Sequence, residues 1–370
     1  AAVAAGREAE VTAVETYCTR LARHGQFLRL SGIREWPDGT VAAGYEFLHA
    51  LYQEVIYRRL SVSQLMQLHQ RIGRRLEVAY GERSREIAAE LAVHFERGRE
   101  YRKAIQYLQQ AGENATQRSA YQEAASHFTK GLELLKTLPD TPEHSQQELT
   151  LQLALSMALL ATKGYAAPEV GKAGTRAREL CQQMGDTPQL FPVLFRLIEF
   201  YLNRAELQTA HELAEQLMRL AQSVQDPYPR SVAYLALGAT GYWLGELPVA
   251  RLHVEQALTL CDSQQHLRPS STTADPRLEG HTPESAPWLN YRWASNTADP
   301  RIECLAYAVW TLWPLGYPDQ ALKRSQELLA FAEGLSQPLG RVYALAIAAW
   351  CHHLRREVQL TRERAEAVIA

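Results

Sequence analysis

The sequence predicts a mainly all-α protein, an α-α superhelical solenoid of paired helices that follows a small unit with one short β-hairpin. Three observations support this fold class. Apolar residues recur with a helical period from about residue 62 onward. A turn motif repeats at intervals of about 40 residues from about residue 147. Strand-like segments occur only before residue 62, so the β-structure is confined to one hairpin.

The composition limits the classes of protein to which the chain can belong. Hydrophobic residues make up 46% of the 370 residues and charged residues 22%, as in ordinary soluble domains. The formal net charge of −2 gives no bulk attraction to nucleic acid or membrane, and no apolar run approaches the ~20 residues of a membrane span. The five cysteines are widely spaced without a CxxC pair, which favours a reducing, cytoplasmic location and disfavours a zinc site.

The N-terminal elements predict a partial winged-helix domain over residues 1–62. The segment "EAEVTAVETYCTRLARH" (8–24) has helical spacing, and a glycine follows it as a stop signal. Two short strands, "QFLRL" (26–30) and "VAAGYEF" (41–47), flank the turn signal "WPDGT". A helix follows from about 49 to 60. The chain opens at "AAVAAG" and closes at "RERAEAVIA" in mid-pattern, so we expect a piece of a longer cytoplasmic protein.

Amphipathic helices fill the segment after the hairpin, and we assign residues 63–137 to a helical linker with the first repeat-like helices. The break "TLPDTPEHS" then leads into the main solenoid, residues 138–370. Four turn motifs align within it, and their last residues are 40, 71 and 40 positions apart: Ala210, Ala250, Ala321 and Thr361. Prolines precede the first helix of each pair, where a missing N–H costs no hydrogen bond: Pro188, Pro227, Pro300 and Pro338.

The interval of 71 predicts an inserted loop at about 264–298. It contains "TADPRLE" (273–279) and a near copy, "TADPRIE" (297–303), of which only the second leads into a helix. The segment between them is rich in Ser, Thr, Pro and Asn and has no helical period. We therefore expect a long excursion that proteases cut first.

Small and large residues within the hairpins fall where a tetratricopeptide repeat (TPR) places them. In residues 231–257 the pattern includes Leu237-Gly238, Gly245, Ala250 and Ala257. The period of 40 residues exceeds the 34 residues of the usual repeat. In this respect the chain resembles the longer TPR-like repeats of bacterial signalling ATPases. The segment "RLARHGQFLRLSGIREWPDGTVAAGYEFLHALYQEVIYRRL" resembles the region that joins the ATPase core to the repeats in bacterial STAND-type regulators, some of which carry a nucleotide cyclase or kinase domain.

That resemblance implies a role for His49. Related nucleotide switches have a Met-His-Asp-like motif in the winged helix, whose histidine contacts the phosphates of the bound nucleotide. "FLHAL" (47–51) matches it at His49, although Ala50 replaces the acidic residue. An imidazole at a helix start can donate to phosphate. The alternative is a partly buried histidine that packs against the winged-helix core.

Sequence motifs for catalysis or metal binding are weak. "GYAAPEVGKAG" (164–174) is one residue too long for a phosphate loop and has Ala173 where Ser or Thr must reach Mg²⁺, so we interpret it as a hairpin turn. Cys351, His352 and His353 are adjacent on a helix and diverge by about 100° per residue, so they do not form a metal site. We expect no cofactor in this chain, with ATP or ADP and Mg²⁺ bound elsewhere in the parent protein.

The repeat register predicts a binding groove. In a TPR superhelix the first helix of each pair lines the concave face, and its ninth and twelfth positions point into the groove. We placed Gly245, Gly316 and Arg356 at the turn and counted back from Ala205 for the earlier repeat. The predicted groove residues are then Glu199, Leu202, Tyr242, Trp310, Trp313, Trp350 and His353, with Ala239. Tryptophan is enriched where proteins hold partners, although these rings could instead fill gaps between hairpins.

We therefore predict a non-catalytic regulatory region. It would bind a protein, peptide or small-molecule signal and relay it to an ATPase switch in the parent protein. A protein or peptide partner is expected, self-association is left open, and neither nucleic acid nor membrane is an expected partner. One alternative is a DNA-binding transcriptional regulator that uses the winged helix and its arginines, although glutamates intersperse them. The other is a passive protein–protein scaffold.

Overall fold

The computed structural model describes residues 8–25, 27–185, 188–223, 226–265, 300–334 and 338–369. Its described elements are helices and one two-stranded antiparallel hairpin, which confirms the predicted fold class. The chain forms two compact units, residues 1–162 and 163–370. Most of the predicted inserted loop at 264–298 lies outside the described residues. No helix in the described ranges is both long enough and apolar enough to cross a membrane.

The first unit begins with a helix and the hairpin and continues as antiparallel helices. Its elements are α1 (Glu8–His24), β1 (Leu28–Glu35), β2 (Val41–Phe47), α2 (Ala50–Arg59), α3 (Val62–Tyr80), a 3-10 helix (Gly81–Ile87), α4 (Ala88–Arg97), α5 (Tyr101–Gln117), α6 (Tyr121–Leu135) and α7 (Pro142–Lys163). β1 extends five residues beyond the predicted strand. The turn between the strands has Gly39 at φ +81°, and the carboxylate of Asp38 accepts a hydrogen bond from the backbone N–H of Thr40.

The second unit is a succession of helical hairpins. Its helices are α8 (Pro168–Gln183), α9 (Leu190–Asn203), α10 (Leu207–Gln222), α11 (Pro227–Leu244), α12 (Leu247–Gln265), α13 (Pro300–Leu312), α14 (Pro318–Glu333), α15 (Pro338–Leu354) and α16 (Val358–Ile369). Three of the four prolines expected at helix starts are the first residues of α11, α13 and α15. The fourth, Pro188, lies two residues before α9.

The same turn closes the helical hairpins in both units. After Tyr242 on α11, Gly245 adopts φ +83°, and the next N–H, of Glu246, donates to the carbonyl of Gly241. This six-to-one hydrogen bond, with a five-to-two bond inside it, is a Schellman motif. The residue with positive φ occupies the same place in five other hairpins: Arg99, Ser119, Ala205, Gly316 and Arg356. The residues that we aligned as the turn position therefore share one backbone conformation.

Small residues let the paired helices approach closely. A Cβ atom added to Gly238 on α11 would lie 2.6 Å from Cγ2 of Val254 on α12. In α8, a Cβ on Gly171 would lie 2.3 Å from Cζ of Phe200. The segment 164–174 that we interpreted as a hairpin turn is therefore a turn only up to 167, and the rest begins α8. The interpretation was wrong there because its glycines serve helix packing.

A chain of polar contacts joins α2, α3 and α4 in the first unit. Nη1 of Arg97 lies 3.4 Å from Oη of Tyr57, which lies 2.9 Å from Nε2 of His69. Nδ1 of His69 lies 2.9 Å from Nδ1 of His94. Because arginine can only donate, the Tyr57 hydroxyl accepts from Arg97. A neutral His69 donates from one ring nitrogen and accepts at the other, so it links Tyr57 to His94 in either tautomer. Burial first, then the charges of His94 and Arg97, lower the pKa of His69 to about 4.

We predict that Ala205→Gly and Gly245→Ala change stability in opposite directions. Ala205 has φ +58° and is exposed, so removing its Cβ relieves left-handed strain and should raise the free energy of unfolding by about 0.5–1 kcal/mol. An added Cβ on Gly245 meets no atom within 4 Å. Gly245→Ala should therefore lower the free energy of unfolding only through the strain of a left-handed backbone, by about 1 kcal/mol. Urea unfolding of both variants measures the two effects. Changes of the same sign would contradict this account.

We also predict that the first unit loses stability as the pH falls from 6.5 towards 4. The pKa of His69 in the folded chain is about 4, below its ordinary value of 6.5. The unfolded chain therefore binds a proton more readily, so the stabilisation is fully present above pH 6.5 and is lost as the pH falls towards 4. The loss should reach at most about 3 kcal/mol. Urea titrations at each pH measure it. In His69→Gln the dependence between pH 6.5 and 5 should be flatter, whereas His24→Gln, at an exposed position, should match the unsubstituted chain.

Candidate ligand-binding cavity

A cavity of about 460 Å³ opens within the second unit. Its walls come from α9, α11, α13 and α15, which are the first helices of four successive hairpins. Tyr165, in the turn before α8, completes the lining. The volume falls in the range of about 300–1,000 Å³ that is usual for small-molecule sites. The first helices of these four hairpins thus contribute to one cavity.

Aromatic rings form much of the lining. Trp310 on α13 lies edge-on to Tyr307, with ring centroids 5.1 Å apart and an interplanar angle of 89°. It also lies edge-on to Tyr343 on α15, at 6.4 Å and 85°. Nε1 of Trp243 donates a hydrogen bond of 3.4 Å to Oη of Tyr307. Ala236 and Ala239 of α11 also line the cavity. Small side chains beside large rings leave space here that a uniformly large-residue surface would fill.

A buried ion pair lies beside the cavity on α9. Nη1 of Arg196 donates to a carboxylate oxygen of Glu199 at 2.8 Å, and the two side chains are 7% and 16% exposed. Burial raises the pKa of Glu199, and the charge of Arg196 and its hydrogen bond oppose that shift. Nδ2 of Asn203 donates to the backbone carbonyl of Glu199 at 2.8 Å. The pair therefore fixes a charged polar group against an otherwise apolar wall.

The phenol groups of the cavity stay protonated at neutral pH. Burial is the largest cause that raises the pKa values of Tyr165, Tyr307 and Tyr343. The negative charge of Glu303 raises the pKa of all three further, and that of Glu199 raises the pKa of Tyr165 and Tyr307. Both carboxylates line the same cavity as these phenols, although they lie on different helices.

The structure brings some of the predicted groove residues together. Glu199, Leu202 and Trp310 line the cavity. Tyr242 stacks on Trp310 with centroids 6.2 Å apart and an interplanar angle of 24°. The remaining three lie away from the cavity lining. Trp313 and Trp350 form an edge-on pair at 6.4 Å, half-buried against the core, and His353 is exposed.

Several lining residues were missed by the sequence reasoning. On α13 they are Glu303 and Tyr307, and on α15 Tyr343. Each lies on the predicted stripe, one or two helical turns before a predicted groove residue: Tyr307 is three before Trp310, and Tyr343 is seven before Trp350. Extending the stripe towards the helix starts would have found them. Tyr165 lies outside the repeat register and had no such signal.

His49 lies in the first unit at the start of α2. It is the N-cap residue, and its Nδ1 accepts a hydrogen bond of 3.1 Å from the backbone N–H of Leu51. Its ring is exposed and lies edge-on to Tyr52, with centroids 6.2 Å apart. Because Nδ1 accepts, the neutral ring carries its proton on Nε2.

The described residues contain no group of three or more His, Cys, Asp or Glu side chains placed to hold a metal ion. Of the adjacent residues 351–353, Cys351 is buried, and Nδ1 of His352 lies 2.6 Å from a carboxylate oxygen of Glu357. The outward-facing His353 is separated from both. The cavity can enclose an apolar or aromatic group, because rings form much of its lining.

Comparison with known proteins places the fold. No protein-family model matches the chain. An uncharacterized protein of Rhizobium meliloti (strain 1021) is 22% identical over 223 residues, 60% of this chain and 21% of that protein. The apo form of RapI superposes with a TM-score of 0.52 at 12% identity, over 86% of this chain and 79% of that one.

A STAND protein with a tetratricopeptide repeat sensor, from Pyrococcus horikoshii, superposes with a TM-score of 0.48 at 14% identity, over 86% of this chain and 46% of that one. The likeness to RapI is one of fold: this chain is a TPR-like helical repeat protein. The chain spans about a fifth of the length of the curated relative that it matches.

We predict that Arg196→Met strongly destabilises the second unit, because it leaves the carboxylate of Glu199 buried without its guanidinium partner. The expected loss is about 3 kcal/mol at pH 7. The loss of unfolding free energy should be smaller at pH 5. Without Arg196 the pKa of Glu199 in the folded chain rises further, so protonation at the lower pH removes the buried charge. Thermal and urea unfolding at both pH values measure it.

Two variants control this prediction. Adding Glu199→Gln to Arg196→Met should recover much of the stability, because no buried charge remains. Arg219→Met removes one partner of an exposed pair, Arg219 and Glu215, and should cost less than about 1 kcal/mol. Equal losses in Arg196→Met and Arg219→Met would contradict the role of the buried pair.

Proposed function

We propose that this chain is a non-catalytic, ligand-binding region of a larger signalling protein. It binds a protein, peptide or small-molecule signal and relays it to an ATPase switch in that protein. The observation that carries the proposal is the cavity of about 460 Å³, because the first helices of four successive hairpins contribute to it. A TPR-like repeat fold and an aromatic-lined concave site together are what a signal-binding module requires.

The placement of the cavity suggests how binding changes the chain. In a repeat array each unit contacts mainly its neighbours, so small rotations between hairpins accumulate along the solenoid. A ligand that contacts α9, α11, α13 and α15 together stabilises the one arrangement of these four hairpins that allows all of its contacts. Binding would therefore shift a population of solenoid shapes.

The first unit offers a surface through which the parent protein could be contacted. Leu30 and Ile33 of β1 are 61% and 78% exposed, and Leu51 of α2 is 54% exposed. Exposed apolar side chains on a two-stranded hairpin favour a further contact. We propose that this surface, the winged-helix unit of the sequence prediction, meets the ATPase module, where ATP or ADP and Mg²⁺ would bind. The Nε2–H of His49 would then be a donor for a nucleotide phosphate.

A DNA-binding role has less support. Three arginines near the hairpin form ion pairs inside the first unit: Arg58 with Glu54, Arg74 with Glu100, and Arg75 with Asp38. Guanidinium groups held by carboxylates are less available for phosphate contacts. A passive scaffold would need no cavity, so a ligand that alters the activity of the parent protein would separate that alternative from the proposal.

We predict that Leu202→Trp blocks ligand binding without unfolding the chain. Leu202 is half-buried and lines the cavity, so an indole there occupies ligand space. In a thermal-shift screen of peptides and small metabolites, a ligand that stabilises the unsubstituted chain should bind Leu202→Trp at least about tenfold more weakly. The same substitution in the parent protein should make its ATPase rate insensitive to that ligand.

The matched control is Gln208→Trp, which adds the same ring at an exposed position of α10. It should leave both the ligand affinity and the ATPase response unchanged. Unaltered binding in Leu202→Trp would remove the cavity as the binding site. An ATPase rate that ignores a tightly bound ligand would favour the scaffold alternative.

A further inference from the structure

Three tyrosines line the cavity, and they come from three separate segments of the second unit. Tyr165 lies in the turn before α8, Tyr307 on α13 and Tyr343 on α15. Burial raises the pKa of each phenol above its ordinary value, so all three keep their hydroxyl protons at neutral pH. Each of the three side chains is therefore able to donate a hydrogen bond.

The hydroxyl protons of these tyrosines have no acceptor among the described residues. Oη of Tyr307 accepts a hydrogen bond of 3.4 Å from Nε1 of Trp243, since an indole N–H can only donate, and its own O–H remains a donor. The hydroxyl groups of Tyr165 and Tyr343 form no hydrogen bond with any described residue. Polar groups between apolar walls are usually paired, so these donors favour a ligand that supplies acceptors.

The carboxylates of the lining are already engaged. Glu199 pairs with Arg196 at 2.8 Å, and Glu303 also has an interaction partner, so neither is an open partner for a cation. No lysine or arginine is among the described residues that line the cavity, so an anion would meet no positive charge there. A charged ligand would lose hydration without gaining a counter-charge, which is unfavourable in a partly enclosed site. The lining therefore favours a neutral ligand.

The rings of the lining are arranged to contact a flat group. Trp310 is nearly perpendicular to Tyr307 and Tyr343, with interplanar angles of 89° and 85°. Aromatic pairs prefer edge-on or offset-stacked arrangements. A ring that enters this corner can lie edge-on to one wall and offset-stacked on another. The small side chains of Ala236 and Ala239, on α11, leave space for it.

We propose that the cavity recognises a neutral ligand with an aromatic ring and carbonyl oxygens. The carbonyl oxygens accept hydrogen bonds from the hydroxyl groups of Tyr165 and Tyr343, and the ring packs against Trp310. This inference rests on the proposed function, since it names the chemistry of the signal that the cavity binds. Such a ligand is either a small aromatic amide or an aromatic residue of a peptide, whose backbone supplies the carbonyl groups.

The first test compares probes that share one phenyl ring and differ in charge. N-benzylacetamide is neutral with one carbonyl, benzylamine is a cation at pH 7, and phenylacetate is an anion. N-acetylphenylalanine amide represents the peptide source. Calorimetry and ligand-observed NMR on the full chain give each Kd. At least one neutral amide should bind about tenfold or more tightly than both charged probes, because a charge loses its hydration in the cavity. The amide with the lower Kd identifies the source.

A double substitution assigns the binding to the two hydroxyl groups. Tyr165→Phe with Tyr343→Phe removes both hydroxyls and keeps both rings, and no hydrogen bond between described residues is lost. This variant should bind the preferred amide about threefold or more weakly. Toluene, which has no acceptor, should bind equally or more tightly, since no donor is then left unpaired. Circular dichroism confirms that the variant is folded.

The matched control is Tyr234→Phe, which removes the hydroxyl of a tyrosine on α11 that stacks on His253 outside the lining. It should leave the Kd of every probe unchanged. The proposal is overturned by a charged probe that binds as tightly as the amides, or by an unchanged amide Kd in the folded double variant. Absence of binding by both amides below about 10 mM would overturn it as well.

The Leu202→Trp screen decides independently whether the cavity binds any ligand. A charged or carbonyl-free ligand that is lost in Leu202→Trp, and that the double variant binds normally, would sustain the proposed function and reject the neutral carbonyl ligand. No ligand in that screen, together with no binding of the amides, would reject both proposals.

Discussion

The left-handed residue that closes each helical hairpin is the constraint on which the rest of the structure depends. At Gly245 and its five counterparts a single positive φ lets two hydrogen bonds reach back to the preceding helix, and the second helix starts within two residues. So tight a turn forces the paired helices into contact, which is possible only where small residues such as Gly238 allow it. Repetition of one turn places the first helices of successive hairpins side by side, and the concave wall follows from that geometry.

The cavity exists because this wall is unevenly filled. On α11 the wall includes Ala236 and Ala239 beside Leu235 and Trp243, whereas on α13 and α15 it includes the rings of Tyr307, Trp310 and Tyr343. Small side chains beside large rings leave a space that close-packed helices do not fill. The same residues that make the second unit a close-packed repeat array thus also create a site for a ligand.

Burial controls the charged groups of this site. Arg196 and Glu199 form an ion pair with almost no net charge. Because both side chains are buried, the carboxylate of Glu199 is held in one position, unlike that of a flexible surface side chain. Burial also keeps the tyrosine hydroxyl groups of the cavity neutral. In the first unit, burial likewise favours the neutral form of His69, because it lowers the pKa of that side chain.

The sequence by itself determined the helical repeat, the hairpin near the N-terminus and the positions of the four aligned turns, because these follow from local periodicity and from residues such as Asp38-Gly39 and Gly245 whose backbone preferences are local. It also indicated the face that carries Glu199, Leu202 and Trp310. Only the tertiary structure separated these from Trp313 and Trp350, which pair with each other instead, and added Tyr165, Glu303 and Tyr343. The physical reason is that a cavity depends on how far facing helices stand apart, and that distance is set by side chains distant in sequence.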